Sequence, residues 1–355
     1  MSSKKWLNIF LVLSFCSVGF VGLVNFVVDP LWIFDHSNRL NKLQSGFNER
    51  VSKTSYIKYH EDVLKDKDTL LLGASSSTYF DENKFPGYSV YNYSVSSFSP
   101  NEYEKFTNFA ESVKKENFDN IMLGLDFGLY FFHDDVPLNI NDFNDHRILF
   151  AVKKYLSLDM IRHSFVNIKR SLDNSTSHRA YTRNNIVRVD KLTEYEVKKI
   201  VDNSLEKYMK KSTVDPKYLS SLKSYKEKYS DRHFIVYTPP LAKPFLTKIY
   251  SDEKLKNSYI QWIRGITEIF GEIYFFTLPN EFSENYSTDS KDGIHYYPDS
   301  GEKIGRVIFN EKMKPNLGII LKRDNINQSL INLNKQIDEY VKNSILSSNG
   351  ITGSV

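Results

Sequence analysis

The residues best suited to chemistry are an aspartate and a histidine near the C-terminus and a serine far upstream. Asp292 and His295 belong to the short segment Asp292-Gly293-Ile294-His295, so a single loop could carry both side chains. A serine hydroxyl is a weak nucleophile until a base removes its proton, and a carboxylate orients and stabilises a histidine base. We expect this pair to activate Ser75. The alternative interpretation is a surface loop with a titrating histidine.

Ser75 follows an apolar run at residues 69–72 that is typical of a buried strand. Ligands of open α/β sheets bind at the carboxyl ends of strands, where the chain turns toward a helix. Gly73 would allow a tight turn there, and the N–H groups that follow it would point toward a developing oxyanion. The alternative is that Ser75, Ser76 and Ser77 only cap that helix.

Short apolar runs predict the strands that would position these residues. They lie at residues 69–72, 88–91, 120–125, 233–237 and 272–276. Helix-like stretches at 101–116 and 216–229 separate some of the runs, which favours right-handed crossovers and a sheet covered by helices on both faces. The predicted fold class is α/β, with about five mostly parallel strands.

The interval between the third and fourth runs is longer than a crossover needs. Its charged, aromatic and helix-prone content predicts a helical insertion at residues 130–212. An insertion could cap an active site or be a passive surface elaboration, and both alternatives remain open. A closing helix is expected at 301–313. The helical tail predicted at 314–355 carries an apolar stripe of Leu330, Leu333, Ile337, Tyr340 and Ile345.

The N-terminal region predicts a membrane anchor. Residues 6–28 carry no charge and, at about 1.5 Å per residue, are long enough to cross a bilayer. Lys4 and Lys5 precede this segment, so residues 1–5 are expected in the cytoplasm, with a connector at 29–67 and the main domain at 68–313 outside. The alternative is a cleaved signal peptide, although the apolar run is longer than a typical signal core.

Composition excludes several classes of protein. Cys16, the only cysteine, lies inside the apolar segment, so no disulfide is expected. Phe15 precedes it where lipidation would require a small residue, which favours an inert thiol. The net charge of +4 is spread along 355 residues, which argues against nucleic-acid binding. Without a glycine-rich phosphate loop or a cysteine cluster, no cofactor and no metal are expected.

Over residues 68–313 these motifs together resemble the SGNH hydrolase superfamily, and more closely its membrane-anchored extracytoplasmic members linked to O-acylation of cell-surface polysaccharides. In that family a Gly-Asp-Ser-like turn follows the first strand, and Gly73-Ala74-Ser75 stands there with alanine in place of the acidic residue. The resemblance implies a flavodoxin-like fold with Ser75 as the nucleophile. Asp292 and His295 match the family's Asp-x-x-His block.

Two further family blocks concern the oxyanion. The second supplies an N–H group from a small residue after the next strand, and Ser94 stands where glycine is common. The third ends in asparagine, whereas Gly124-Leu125-Asp126 ends in a carboxylate, which cannot donate a hydrogen bond when ionised. Three possibilities remain open: Asp126 is kept protonated, it binds a substrate hydroxyl, or the hole uses only the N–H groups of Ser75 and Ser94.

The resemblance also implies a function and partners. An acyl-enzyme on Ser75 would make the protein an O-acetyltransferase if a glycan hydroxyl accepts the acyl group, or an O-acetylesterase if water does. The implied partners are a cell-surface glycan, the lipid bilayer and a membrane protein that donates acyl groups, with the main domain periplasmic or extracellular. The alternative is a non-catalytic SGNH-like glycan-binding or assembly component of a polysaccharide export system, for which Ala74 and Asp126 argue.

Overall fold

The structure is a computed structural model that describes residues 2–131, 138–177, 179–209, 213–309 and 312–348. The chain forms two compact units. The first consists of Met1–Lys65 with Val136–Asp190, and the second of Asp66–Asp135 with Lys191–Val355. Every residue expected to do chemistry belongs to the second unit. The domain boundaries expected from the sequence stay predictions.

The described strands are, in chain order, β1 (Gln44–Ser45), β2 (Thr69–Gly73), β3 (Val90–Asn92), β4 (Asn120–Gly124), β5 (Ala180–Tyr181), β6 (Val187–Arg188), β7 (His233–Thr238), β8 (Glu272–Phe275) and β9 (Ile319–Lys322).

The described α-helices are α1 (Ser3–Val28), α2 (Glu49–Tyr59), α3 (Pro100–Lys114), α4 (Arg147–Tyr155), α5 (Leu158–Asp173), α6 (Glu194–Met209), α7 (Tyr218–Lys228), α8 (Lys243–Ser251), α9 (Glu253–Phe270), α10 (Glu281–Glu284), α11 (Tyr286–Asp289), α12 (Pro298–Phe309) and α13 (Ile326–Ser348). The interval between β4 and β7 holds α4, α5, α6 and α7, and also the short strands β5 and β6.

The second unit is built on a six-stranded sheet in the order β3-β2-β4-β7-β8-β9. The first five strands in this order are parallel, and β9 pairs antiparallel with β8. Every residue of β2 is buried, as expected of an apolar strand covered on both faces. The prediction of a mixed α/β fold with a parallel-rich sheet is confirmed. Strand β9 is absent from the five predicted runs, because only three apolar residues follow Gly318 before Lys322.

The register of the central strands brings their carboxyl ends to one edge. Gly73 pairs with Gly124, and Gly124 in turn pairs with Tyr237. A Cβ atom added to either glycine would collide with the side chain of Ser77. Glycine at both positions therefore permits the close approach of β2, β4 and the turn that follows β2. Asp126 follows Gly124 at this same edge.

Helices cover the sheet and end the chain. Helix α3 begins at a capping box in which the Ser99 N–H group donates to Oε2 of Glu102 over 3.2 Å. Helix α13 packs against α8 and α9. Its residues Leu330, Leu333 and Ile337 are buried, as their spacing predicts. The side chain of Ile345 lies outside the described residues.

The first unit combines two separate stretches of sequence. Strands β1, β5 and β6 form a small antiparallel sheet in that order. The fully buried Asp29 carboxylate accepts hydrogen bonds from the N–H groups of Ile33 over 2.9 Å and Phe34 over 3.1 Å, and also bonds Tyr155 and Arg183. Asp29 thus links the end of α1 to elements more than a hundred residues away.

Helix α1 is long and apolar enough to cross a membrane. Its 26 residues leave most of their side chains exposed within the structure. The same length and composition fit a signal sequence, so the structure supports an apolar N-terminal helix and leaves its orientation a prediction.

Candidate active site

The turn after β2 holds Ser75 at the carboxyl edge of the sheet. The N–H group of Ser77 donates to the Ala74 carbonyl over 3.0 Å, and the Thr78 hydroxyl donates to the Ser75 carbonyl over 2.7 Å. Within residues 69–80, all of which are described, Ser75 alone is partly exposed. The turn therefore presents Ser75 while its neighbours stay buried.

A tight turn near the C-terminus holds Asp292 and His295. Oδ1 of Asp292 accepts hydrogen bonds from the N–H groups of Ile294 over 3.1 Å and His295 over 2.9 Å. Gly293 lies inside the turn with a φ of 81°, a left-handed conformation that glycine adopts without a Cβ clash. The local sequence thus sets the spacing of the carboxylate and the imidazole.

Ser75, His295 and Asp292 form one hydrogen-bonded series. Oγ of Ser75 lies 2.8 Å from Nε2 of His295, and Nδ1 of His295 lies 2.7 Å from Oδ2 of Asp292. An ionised carboxylate only accepts hydrogen bonds, so the proton between His295 and Asp292 belongs on Nδ1, which leaves Nε2 to accept from Ser75. This arrangement suits a general base beside a hydroxyl nucleophile. The structure brings the three residues together, and their catalytic roles stay predictions.

The electrostatics of the pair suit this arrangement. Burial alone would raise the pKa of Asp292, but the charge of His295 and hydrogen bonds from His295 and Ile294 outweigh it and lower that pKa to about 2. The carboxylate is therefore ionised at neutral pH, the state that stabilises a protonated imidazole beside it. The Tyr79 ring stacks on the imidazole, with centroids 5.3 Å apart.

Asp126 contacts Ser76, the residue that follows the proposed nucleophile Ser75. The Ser76 hydroxyl donates to Oδ2 of Asp126 over 2.8 Å. Desolvation by the surrounding protein raises the pKa of Asp126 to about 6, although the Ser76 hydrogen bond and the charge of His295 act to lower it. A carboxyl with this pKa is substantially protonated in mildly acidic solution, when it can donate a hydrogen bond.

Gly73 and Ser94 lie beside the turn and are both buried. The N–H group of Val95 donates to the Gly73 carbonyl over 3.1 Å, which ties the chain after β3 to the end of β2. The N–H group of Ser94 donates to Oδ1 of Asn92 over 3.0 Å. A donor role for the Ser94 N–H group toward an oxyanion, expected from the resemblance, would require this bond to break.

The structure adds residues that the sequence reasoning did not assign. Ser76 was expected only as a possible helix cap, and its signal was its position beside Ser75. Tyr79 contacts His295, and Tyr237 donates to Oγ of Ser77 over 2.7 Å beneath the turn. Neither tyrosine carries a local motif, because both contacts arise from packing between distant segments.

Comparisons with known proteins give no family assignment. No family model matches the chain, and no curated protein matches it. One solved structure, described as "a putative platelet activating factor from Streptococcus pneumonia", is 10% identical, with a TM-score of 0.32, over 74% of this chain and 92% of the other. That similarity is too low to carry an argument about function.

Proposed function

We propose that this protein is an extracytoplasmic serine acyl-transfer enzyme of SGNH type, acting on cell-surface polysaccharide as an O-acetyltransferase or O-acetylesterase. The observation that carries the proposal is the hydrogen-bonded series from Ser75 through His295 to Asp292, with heavy-atom distances of 2.8 and 2.7 Å. These distances lie within the range expected for a nucleophile, its base and the base's orienting group.

The reaction would begin when Oγ of Ser75 attacks the carbonyl carbon of an acyl ester. Nε2 of His295 takes the hydroxyl proton, and Asp292 stabilises the resulting imidazolium. Collapse of the tetrahedral intermediate breaks the bond to the leaving alcohol, which receives the proton from His295. The acyl group then rests on Ser75. A glycan hydroxyl or water, deprotonated by His295, attacks this ester. The bond to Oγ of Ser75 then breaks, and His295 returns the proton to that oxygen.

Asp126 supports a specific way to stabilise the oxyanion. In its protonated form it would donate one hydrogen bond, the role that asparagine has in the hydrolases this chain resembles. Ser76 accounts for one of its carboxyl oxygens by donating to Oδ2. The raised pKa of about 6 makes the neutral form accessible near neutral pH.

The polysaccharide and the compartment are inferred from α1 and from the resemblance. Lys4 and Lys5 before the apolar helix favour a cytoplasmic N-terminus, which would put the second unit outside the membrane. Acyl-CoA is cytosolic, so a transferase there would need a membrane protein that passes acyl groups outward. Newly exported glycan would be the acceptor.

The proposal is tested by covalent labelling of full-length protein in detergent. An activated acetyl ester should add one acetyl group to the wild type, mapped by peptide mass to Ser75, and none at that position in Ser75→Ala. The Ser89→Ala variant, which changes a serine away from the turn, should label like the wild type. Folded wild-type protein that several acyl donors fail to acylate at Ser75 would overturn the proposal.

The second candidate function is a non-catalytic glycan-binding or assembly component. It is favoured by the Ser94 N–H group, which is already bonded to Asn92 and so is missing as a ready oxyanion donor. This function predicts that Ser75→Ala protein binds acylated glycan as the wild type does and that neither releases acetate from it. Acetate release by the wild type alone would exclude it.

A further inference from the structure

Helix α5 has its polar face turned inward. Its buried residues are Ser164, Asn167 and Ser171, which lie on one face because three or four residues separate them. A surface helix of a water-soluble protein has the opposite arrangement, with its apolar stripe toward the core. The first unit therefore buries the side of α5 that water would solvate best.

Hydrogen bonds hold α5 in this orientation. The Ser164 hydroxyl donates to Oδ1 of Asn25 over 2.7 Å, and Oδ1 of Asn167 accepts from the Ser45 N–H group over 2.8 Å. Oγ of Ser171 accepts from the N–H group of Leu43 over 3.0 Å and donates to its carbonyl. Rotating the helix would leave these polar groups buried without partners, which is unfavourable because each would lose its hydrogen bond without regaining water.

The outward faces of α5 and α4 are apolar. On α5, Leu158, Phe165 and Leu172 repeat every seven residues and are 75%, 54% and 57% exposed. On α4 and at the residue that caps its C-terminal end, exposed apolar residues recur at four-residue intervals, at Ile148, Val152 and Leu156. Exposed apolar side chains that line two adjacent helices mark an interaction surface.

The position of these helices along α1 matches the edge of a bilayer. The uncharged residues 6–28 form about 35 Å of helix, whereas the hydrocarbon core is about 30 Å thick. The core therefore ends near Asn25, whose side chain donates to the Tyr155 carbonyl over 2.7 Å, and Leu156 lies over Gly22 one turn earlier. Helices α4 and α5 thus begin their contact with α1 at the depth of the headgroup boundary.

Charge favours an anionic surface at the same place. Residues 147–173 contain six lysines and arginines but only two aspartates, whereas the entire chain has a net charge of only +4. Three of the six basic residues, Lys153, Arg162 and Lys169, are exposed. Helices that lie in a membrane interface combine an apolar face with basic residues that reach anionic headgroups.

We propose that α4 and α5 form a membrane-docking surface that inserts shallowly into an anionic lipid bilayer beside α1. The inference rests on the membrane anchor of the proposed function and is independent of catalysis. Lipid is the favoured occupant because Leu156 lies over Gly22 of α1, and the neighbouring Leu23 and Phe26 of α1 are themselves apolar and exposed. The surface would hold the first unit against the membrane, in addition to the anchor α1.

The test uses full-length protein in vesicles of phosphatidylcholine and phosphatidylglycerol. Single cysteines for an environment-sensitive fluorophore are introduced as Leu158→Cys and Phe165→Cys in a Cys16→Ser background. Arg188→Cys in the same background is the exposed control on β6 and reports the fraction of protein that faces added iodide. Wild-type Cys16, which lies within α1, reports whether the anchor is in lipid.

Labels at positions 158 and 165 should be quenched by lipids that carry a quencher near the headgroup, and their quenching by iodide should be severalfold weaker than at position 188. Equal access to iodide at 158, 165 and 188, with Cys16 quenched by lipid, would overturn the docking surface and leave the anchor intact. Shielding from iodide without quenching by lipid would also overturn it, since protein would then cover the face. The Cys16 label is tested with lipids that carry the quencher on the acyl chains, because Cys16 lies near the middle of α1. A Cys16 label that these lipids do not quench would overturn the anchor itself.

Discussion

Nε2 of His295 lies 2.8 Å from Oγ of Ser75, although 220 residues separate the two in the chain. Parallel strands that end at one edge of the sheet bring Ser75 there, and the turn that contains Gly293 brings His295. The side chain of Asp292 completes the series from within the same turn. Both ends of the Ser75–His295–Asp292 series are therefore held by backbone geometry as well as by their own hydrogen bonds.

Asp292 is expected to set the tautomer of His295. In Asp292→Asn the side-chain amide can donate to Nδ1, which favours a proton on Nε2 and prevents that atom from accepting the Ser75 proton. Acylation of Ser75 should slow by about 10⁴-fold, the loss seen when this substitution is made in a serine triad. The measurement is the rate of single-turnover acetylation by intact mass. Asp289→Asn, in the preceding helix α11, should acylate at the wild-type rate, and an Asp292→Asn rate within tenfold of the wild type would contradict the role.

Asp126 is expected to give activity an alkaline limit. Its pKa is raised to about 6, so a reaction that needs the neutral carboxyl should lose rate as pH rises through that value. In Asp126→Asn the amide donates at every pH. The loss of rate at alkaline pH should therefore vanish, while any loss of rate at acidic pH should stay. The pH profile of Ser75 acylation measures both. An unchanged pH profile in Asp126→Asn would show that the neutral carboxyl plays no part in the acylation of Ser75.

The same raised pKa has a consequence for stability. The folded state favours the protonated carboxyl, so the stability it contributes is fully present below the unfolded pKa of about 3.8 and is lost as pH rises through about 6. Asp126→Asn should therefore raise the melting temperature relative to the wild type above pH 6 more than below pH 3.8. Asp119→Asn, at an exposed position, is the control. A constant difference across pH would contradict the assignment.

Gly124 is expected to be required for the packing beneath Ser75. An added Cβ would collide with the Ser77 hydroxyl and with the ring of Tyr237. Gly124→Ala should destabilise the protein by about 1–3 kcal/mol, as overpacking in a core does. Urea unfolding of full-length protein in detergent measures the change. Gly19→Ala, where no atom lies within 4 Å of the added Cβ, is the control and should not destabilise the protein, since alanine favours a helix more than glycine does.

Arg183 is expected to stabilise the first unit through Asp29. The Asp29 carboxylate is fully buried, and Arg183 is its cationic partner. Arg183→Ala would leave a buried charge without that partner, which costs about 3–5 kcal/mol where no other group compensates. The hydrogen bonds from Ile33 and Phe34 should place the loss at the low end of that range. Thermal melting measures it, with the exposed Arg188→Ala as the matched control; equal melting temperatures for the two variants would contradict the prediction.

Local patterns in the sequence predict much of the sheet and part of the site. Apolar runs identified the five parallel strands because buried parallel strands need apolar side chains on both faces. Asp292 and His295 were recognisable because their geometry depends on three consecutive peptide units. Helix α1 was recognisable because length and apolarity alone define it. Strand β9 could not be recognised, because three apolar residues are too few to show the spacing of a strand.

The sequence by itself determined which groups could do chemistry, and tertiary structure decided the burial, the hydrogen-bond partners and the pKa of those groups. The pKa of Asp126 depends on desolvation by protein that surrounds it and on Ser76, fifty residues away. The inward polar face of α5 likewise depends on bonds to Asn25 and Ser45, 139 and 122 residues distant. Amphipathic spacing predicts a helix with two faces, but only packing against its partners decides which face is buried, because both burial and desolvation are properties of the surroundings.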